Sequence, residues 1–222
     1  TWLAYDETQL IEESQLNDNE SLRYKLLQSK VLDKNELLEN IRLQLDGFTE
    51  AIYLEKAPLI FEKDMLFLQK QVKEGKLTYK IITQWYLYRI AITETNPELA
   101  LNAIIAVNPN AVAQAEKLDE NLNAKKHPVY GMPILLKDNI NTAAMKTTAG
   151  AVFLKDNQTQ EDAEIVSNLK SNGSIILGKA NLSEWANYLC AGCPNGYSAI
   201  ANQAIFLLEK QRTTHPSPID SH

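Results

Sequence analysis

The 222-residue sequence predicts an α/β fold with a mainly parallel sheet, preceded by an all-helical N-terminal extension. Residues 1–57 are acidic, helix-prone and short of Gly and Pro. Residues 101–189 alternate between short apolar runs and amphipathic runs, which favours a sheet with helices packed on it. The hydrophobic content of 45% and the charged content of 23% are typical of a soluble globular protein.

The N-terminal part of the chain, residues 1–75, predicts helices that pack on a larger body. Asp33–Glu36 has the pattern of a capping box, in which the first and last side chains bond to free backbone amides. Apolar residues then recur at helical spacing, and Gly47 is expected to close that helix. Pro58 punctuates the next helical stretch, and Gly75 is expected to stop the one after it.

Residues 76–122 predict a helix, a strand and a second helix. Thr78 can cap a strongly apolar helix whose aromatic stripe, Trp85–Tyr88, is typical of a core and not of a cofactor site. Leu101–Val107 is rich in Ile, Ala and Val and predicts a strand. Asn108–Pro109 fits the N-cap and first positions of a helix, because proline has no amide to leave unpaired there.

A short apolar run that ends in a lysine lies near the middle of the chain. Ile134–Leu136 follows Gly131 and Pro133 and has the length of a buried strand. Lys137 comes directly after it, at the edge of a core. An ammonium group drawn into an apolar site loses hydration, which lowers its pKa and can make a lysine a base near neutral pH. On these residues alone, a lysine that bends out to solvent is favoured, because lysines are rarely buried.

The following segments continue the alternation of elements. Thr147–Ala151 predicts a loop of small residues, Asp162–Ser171 a short helix and Ser174–Leu177 a strand. Asn181–Glu184 again has the pattern of a capping box and predicts a helix that runs through Leu189.

Two short motifs have the spacing of a chemical site without its context. Gly173–Lys179 matches a phosphate-binding loop, but Ala180 offers no hydroxyl to Mg²⁺ and the apolar residues between the glycines suit a strand. Ser167 and Lys170 have a Ser-x-x-Lys spacing, but they lie on the helix face that is predicted to be solvated. A solvated lysine stays protonated and is no base, so neither motif predicts a site.

Charge, hydropathy and cysteine content exclude other classes of function. The net charge of −6 argues against a nucleic-acid surface, since neutralising phosphates needs clustered Lys and Arg. No apolar run approaches the roughly 20 residues that span a bilayer. The missing initiator Met suggests a trimmed start, so export stays open. Cys190 and Cys193 are expected to be packed or turn cysteines, because a predicted helix C-terminus precedes them and opposes a thiolate.

Together these segments resemble the amidase signature family, in particular its peptide-amidase-like members. The resemblance covers about residues 76 to 200. It implies an α/β/α fold around a mixed sheet, here incomplete, that hydrolyses carboxamides without a metal or an organic cofactor. The stretches that carry the resemblance are 101–105, 108–111, 131–140, 147–151, 162–163 and 173–187.

The resemblance implies that Lys137 is catalytic. In the family, the lysine of the Lys-Asp-Asn segment works with two serines: one attacks the amide carbonyl, and the other relays its proton to a neutral lysine. Carried over, that lysine is Lys137, and the role requires its side chain to be desolvated. The implied substrate is a small carboxamide or a peptide amide.

The sequence departs from the family pattern where the two serines should lie. After Tyr197–Ile200 the family continues into a Gly- and Ser-rich loop that also supplies the oxyanion-binding amides, and this chain has no such run. Ser217 and Ser221 lack glycine neighbours and are not assigned. We therefore expect a truncated or frameshifted amidase that is inactive as given. Its predicted parts are a helical extension (1–75), the N-terminal part of an amidase signature domain (76–200) and a divergent, irregular tail (201–222).

A non-catalytic interaction or scaffold protein derived from an amidase is the alternative hypothesis. Hydrolysis of simple carboxamides by the purified chain discriminates between the two. Loss of the second half of the family's sheet would leave apolar strand edges unpaired, so we expect a chain that aggregates or folds loosely. The sequence identifies neither the substrate nor the oligomeric state.

Overall fold

The computed structural model describes residues 8–20, 23, 34–96, 99–121, 127–189 and 195–204. In these ranges the chain forms seven α-helices and five strands. No helix in the described ranges is long and apolar enough to cross a membrane. In chain order the elements are α1 (Thr8–Ser14), α2 (Lys34–Arg42), α3 (Glu50–Ile60), α4 (Met65–Lys73), α5 (Tyr79–Glu94), β1 (Ile104–Val107), α6 (Ala111–Asp119), β2 (Pro133–Lys137), α7 (Glu164–Ser171), β3 (Ile175–Ala180), β4 (Tyr197–Ser198) and β5 (Asn202–Gln203).

The main sheet has three strands in the order β1-β3-β2. β2 pairs with β3 in parallel, whereas β1 pairs with β3 antiparallel. The mixed sheet implied by the family resemblance is therefore confirmed, and the mainly parallel sheet predicted from the alternation of elements is wrong. In the described part of the chain, β2 has a partner strand on one side only, and its Leu135 is 41% exposed.

Helices cover both faces of this sheet because alternate residues of β3 point to opposite sides. On one face Ile175 and Leu177 join a core built by α2 to α6, which includes Leu37 and Ile41 of α2. On the other face Ile176 packs with Leu136, Met145 and Val166 of α7. The N-terminal helices from α2 onward thus share one core with the sheet.

Helix α5 is the centre of the larger core, as its aromatic stripe predicts. Thr78 caps it by accepting a hydrogen bond from the amide of Ile81 at 3.0 Å. Trp85 is almost fully buried, and its indole nitrogen donates to the carbonyl oxygen of Tyr53 at 2.9 Å. The ring of Tyr79 lies against Gly131, whose φ of +70° brings its backbone close to the ring.

Two predicted helix boundaries differ from the structure. Asp33, the first residue of the predicted capping box, lies outside the described residues, and Pro58 lies inside α3. The helix predicted to begin at Asn108–Pro109 begins instead at Ala111, with Asn110 as its N-cap. The Asn108 side chain accepts from the Asn110 amide at 3.0 Å and donates to a carbonyl of β3 at 2.8 Å, which ties the loop to the sheet.

The helix predicted to run from Glu184 to Leu189 is wrong. This segment is a short 3₁₀ turn, Glu184–Asn187, in which Trp185, Ala186 and Asn187 have φ values of 50°, 53° and 64°. The side chain of Glu184 accepts a hydrogen bond from the Ala199 amide at 2.8 Å, so this carboxylate binds the following hairpin and does not cap a helix.

Part of the predicted irregular tail is ordered as a hairpin. β4 and β5 pair antiparallel, and the carbonyl oxygen of Gln203 accepts from the Asn102 side chain at 3.1 Å. Residues 201–204 therefore continue the packed part of the chain. The rest of the tail, with Ser217 and Ser221, and the pair Cys190 and Cys193 lie outside the described residues.

Candidate active site

Lys137 is the last residue of β2, and its backbone is held on both sides. It lies opposite Ala180 in the parallel pairing with β3, and the amide of Asp138 donates to the Ala180 carbonyl at 3.0 Å. The Lys137 carbonyl oxygen accepts from the Ile140 amide at 2.9 Å, which closes a turn after the strand. The side chain of Lys137 is exposed. The desolvation predicted for it is not found in the described structure, because β2 is an edge strand there.

Asp138 joins this turn to the loop of small residues at 147–151. Its carboxylate is fully buried, and Oδ2 accepts from the Thr148 amide at 3.1 Å and from the Thr148 hydroxyl. The Asp138 carbonyl oxygen accepts from the Ala149 amide at 3.0 Å. The Thr148 hydroxyl oxygen in turn accepts from the Gly150 amide at 3.1 Å.

Every backbone amide of the 147–151 loop has an acceptor. Besides the three amides in the middle of the loop, Thr147 donates to the carbonyl of Asn157 at 3.0 Å and Ala151 to that of Thr148 at 2.9 Å. An oxyanion hole needs amides that are free to point at the substrate oxygen. This loop therefore braces the turn after β2 and offers no oxyanion-binding amide.

Lys179 in β3 is a buried residue that the sequence interpretation missed. Its side chain has no exposed surface, and Nζ donates to the carbonyl oxygen of Ile140 at 2.7 Å and to the Thr147 hydroxyl oxygen at 2.9 Å. Nζ also lies 3.5 Å from Asp138 Oδ1. The available signal was its place in an apolar strand directly before Ala180, because a lysine there has little room to reach solvent.

Burial dominates the electrostatics of the Asp138–Lys179 pair. It raises the pKa of Asp138, against the hydrogen bonds from Thr148 and the charge of Lys179. It lowers the pKa of Lys179, against the attraction of Asp138. Asp138 Oδ1 makes no hydrogen bond to any other described residue, so the ion pair is its compensation.

The phosphate-loop-like run Gly173–Lys179 and the Ser167–Lys170 pair both have structural roles. Gly178 lies within β3, and a side chain there would overlap the backbone of Ala106 in β1, so its glycine allows close strand approach. Lys170 donates to the Asp162 carboxylate at 2.6 Å, and Ser167 is exposed.

A cavity of about 370 Å³ lies beside the braced turn, with Asp138 and Thr148 in its wall. Charged side chains of Lys146, Lys155 and Asp156 also line it. Lys137 is not one of the lining residues, so this cavity is distinct from the predicted catalytic position.

The matches to known proteins concern the same segments. The sequence profile of the family described as Amidase matches residues 82–202. A probable amidase of Arabidopsis thaliana is 38% identical over 158 residues, which cover 69% of this chain and 30% of that protein. One subunit of the glutamyl-tRNA(Gln) amidotransferase of Lawsonia intracellularis is 42% identical over 106 residues, which cover 47% of this chain and 21% of its own length.

Two solved structures share both sequence and fold with this chain. An amidase family protein from Bacillus anthracis is 41% identical with a TM-score of 0.74, and the match covers 78% of this chain and 34% of that one. The native peptide amidase from Stenotrophomonas maltophilia is 38% identical with a TM-score of 0.62, over 65% of this chain and 30% of its own. This chain therefore spans about a third or less of the length of these relatives. With the mixed sheet and the ordered segments that carry the resemblance, it belongs to the amidase signature family and is similar to the peptide amidases.

Proposed function

We propose that this chain supplies the proton-accepting lysine of an amide-hydrolysing Ser-Ser-Lys site, and that Lys137 is that lysine. The observation that carries the proposal is the position of Lys137 at the carboxyl end of β2, with its backbone fixed and its side chain exposed. In α/β sheets, ligands bind outside the carboxyl ends of the strands. A reactive side chain at this position can reach a substrate that binds there.

In the proposed reaction the amide C–N bond is exchanged for an acyl-serine ester, and water then hydrolyses that ester. A serine oxygen attacks the amide carbonyl, and its proton passes through a second serine to the neutral Lys137 amine. The amine or ammonia leaves with a proton, and water then releases the carboxylic acid from the acyl-serine. Lys137 must be desolvated for this role, so the serine-bearing segment would also cover the open side of β2.

Two serines near the β4–β5 hairpin support the proposal that the serine pair lies elsewhere. Ser198 is fully buried and donates to the Asn181 side chain at 2.9 Å. Ser183 accepts from the Gly196 amide at 2.8 Å. Both hydroxyls hold the β4–β5 hairpin in place. We accordingly propose that the chain alone does not hydrolyse amides.

A peptide amide or a small carboxamide is the proposed substrate class. A peptide amidase that is 38% identical to this chain has been solved in complex with the competitive inhibitor chymostatin. The similarity supports an amide substrate for a site completed around Lys137.

The proposal is tested with the full chain and with a hybrid protein. The hybrid joins residues 1–204 to the part of the Bacillus anthracis amidase family protein that follows the matched region. We expect the chain alone to release no acid or ammonia from simple carboxamides and peptide amides, and the hybrid to release them. Turnover by the chain alone that Lys137→Ala abolishes would contradict the proposed absence of the serines.

One observation favours a second candidate, a non-catalytic interaction protein derived from an amidase. One edge of β2 has no partner strand among the described residues, and together with the exposed Leu135 it offers a surface on which a partner strand could pair. A hybrid that unfolds cooperatively but hydrolyses no amide would favour this candidate.

A further inference from the structure

The segment from Asp138 to Thr147 is fastened at three points by one side chain. Lys179 Nζ bonds to the carbonyl oxygen of Ile140 and to the Thr147 hydroxyl oxygen, at 2.7 and 2.9 Å, and lies 3.5 Å from Asp138 Oδ1. Two of these contacts are hydrogen bonds, and the third is an ion pair. All three groups lie close after Lys137 in the chain.

Lys179 lies in β3, the strand that pairs with β2, and so connects these groups to β3. Lys179 precedes Ala180, which pairs with Lys137 and accepts a hydrogen bond from Asp138 at 3.0 Å. The residues after Lys137 are therefore bonded to β3 through the backbone of Ala180 and the side chain of Lys179. A fully buried lysine is costly unless it is paired, so its bonds to this segment must compensate its desolvation.

Lys179 is no candidate for contact with a substrate. Its side chain has no exposed surface, and its nitrogen is enclosed by groups from the segment it holds. Its resemblance to a phosphate-binding lysine fails for the same reason. Its effect on chemistry must pass through the residues it bonds.

We propose that Lys179 is the positioning residue for Lys137. It holds the turn after β2 and the start of the 147–151 loop against β3, and so fixes the point from which the Lys137 side chain extends. A base must come within about 2.6–3.2 Å of the proton it accepts, and a misplacement of about 1 Å can cost on the order of 100-fold in rate. This inference rests on the proposed function of Lys137.

A different role for Lys179 is charge neutralisation of Asp138 alone. The two roles differ in the double variant Asp138→Asn/Lys179→Met, which removes both charges. Neutralisation predicts that the double variant recovers the behaviour of the wild type. Positioning predicts that the turn stays loose, because the bonds to Ile140 and Thr147 are still missing.

Amide hydrogen exchange in the full chain separates these outcomes. The reporters are the amides of Ile140 and Ala149, whose acceptors are backbone carbonyls that the substitutions keep, and the amides of α5 report global opening. The single variant Lys179→Met leaves Asp138 buried and charged without its partner. In the double variant we expect exchange of the α5 amides to be slower than in this single variant, because no unpaired charge remains. We expect the reporters to exchange at least about tenfold faster than in the wild type, as the loss of a hydrogen bond to a charged group implies. Reporters that recover together with α5 would overturn the proposal.

Two further variants keep the test independent of overall folding. Thr147→Val removes one acceptor of Lys179 and should speed reporter exchange, whereas Thr147→Ser keeps the hydroxyl and should not. Lys34→Met removes an equally buried lysine that bonds to Glu94, far along the chain from the reporters. Lys34→Met should accelerate amide exchange at the reporters and in α5 by the same factor, because it affects only global opening.

The hybrid protein gives the kinetic readout. The double variant should lower kcat and leave KM unchanged, because the turn positions Lys137 and binds no substrate. An unchanged kcat would overturn the positioning role. If the hybrid unfolds cooperatively but is inactive even without substitutions, the proposed function of Lys137 fails, and hydrogen exchange alone decides the role of Lys179.

Discussion

Asp138 Oδ1 and Lys179 Nζ lie 3.5 Å apart, and neither side chain has appreciable exposure to solvent. Asp138 directly follows Lys137, the residue that we propose as the base, and Lys179 precedes Ala180, which pairs with Lys137. Two buried charges at this separation cost desolvation energy that their attraction only partly offsets. A residue pair of this kind gives one defined arrangement to the turn and the loop that it joins.

Titration of Asp138 should make the free energy of unfolding depend on pH. Burial raises the folded pKa above the usual value of 3.8, so between the two values the native state binds more protons than the unfolded state. Stability from this group therefore falls as pH rises through that window. Relative to Asp138→Asn, which has no such titration, the wild type should become more stable as pH falls from neutral toward about 4. Urea unfolding at several pH values checks this, and a difference that is constant or shrinks toward acid would refute it.

Breaking the ion pair between Lys34 and Glu94 should strongly destabilise the N-terminal helices. The two groups are 3.1 Å apart and both buried, and Lys34 also donates to the Asn102 side chain at 2.6 Å. Lys34→Met should lower the free energy of unfolding by about 3–5 kcal/mol, because the buried Glu94 carboxylate loses its counter-charge and keeps only the hydrogen bond from the Ala103 amide. Arg42→Met breaks an exposed pair with Glu39 and is the control, with little expected change. Equal losses in the two variants would contradict the assignment.

Alanine substitutions at Gly131 and Gly75 should distinguish the cost of steric overlap from the cost of backbone strain. Both have positive φ, +70° and +72°, but a Cβ at Gly131 would overlap the Tyr79 ring, whereas nothing lies within 4 Å of one at Gly75. Gly75→Ala should cost about 1–2 kcal/mol from the left-handed backbone alone. Gly131→Ala should cost roughly 1–3 kcal/mol more, because the core must shift. Urea unfolding measures both, and similar losses would show that Tyr79 moves aside freely.

The edge of β2 that is unpaired in the described ranges should make the chain prone to self-association. Leu135 on this edge is 41% exposed, and an apolar edge strand can pair with another chain. Leu135→Lys should therefore raise the concentration at which the chain stays monomeric in light scattering. Leu66→Lys is the matched control, since Leu66 is 70% exposed but lies on a helix. A sharply cooperative, monomeric wild type that Leu135→Lys does not change would count against this prediction.

Features encoded by neighbouring residues could be predicted from the sequence. Thr78 caps α5 and Gly75 follows α4 with positive φ, because both depend on local hydrogen bonds and backbone freedom. The strand before Lys137 also follows from its own apolar run. These features need no partner from elsewhere in the chain.

The features that sequence patterns missed depend on distant partners. Glu184 has the spacing of a capping box, but its carboxylate finds the Ala199 amide, so the predicted helix gives way to a turn. Lys179 is buried because its acceptors come from a segment more than thirty residues earlier. No local pattern shows that Asp138 will lie beside it.

The most direct test compares two lysine variants of the hybrid protein. Lys137→Ala should lower kcat for a carboxamide by on the order of 10²–10⁴-fold, the range for loss of a general base. Lys117→Ala, which removes an exposed lysine of α6, should leave kcat unchanged. Hydrolysis by the Lys137→Ala hybrid at the unsubstituted rate would contradict the assignment of Lys137 as the proton acceptor.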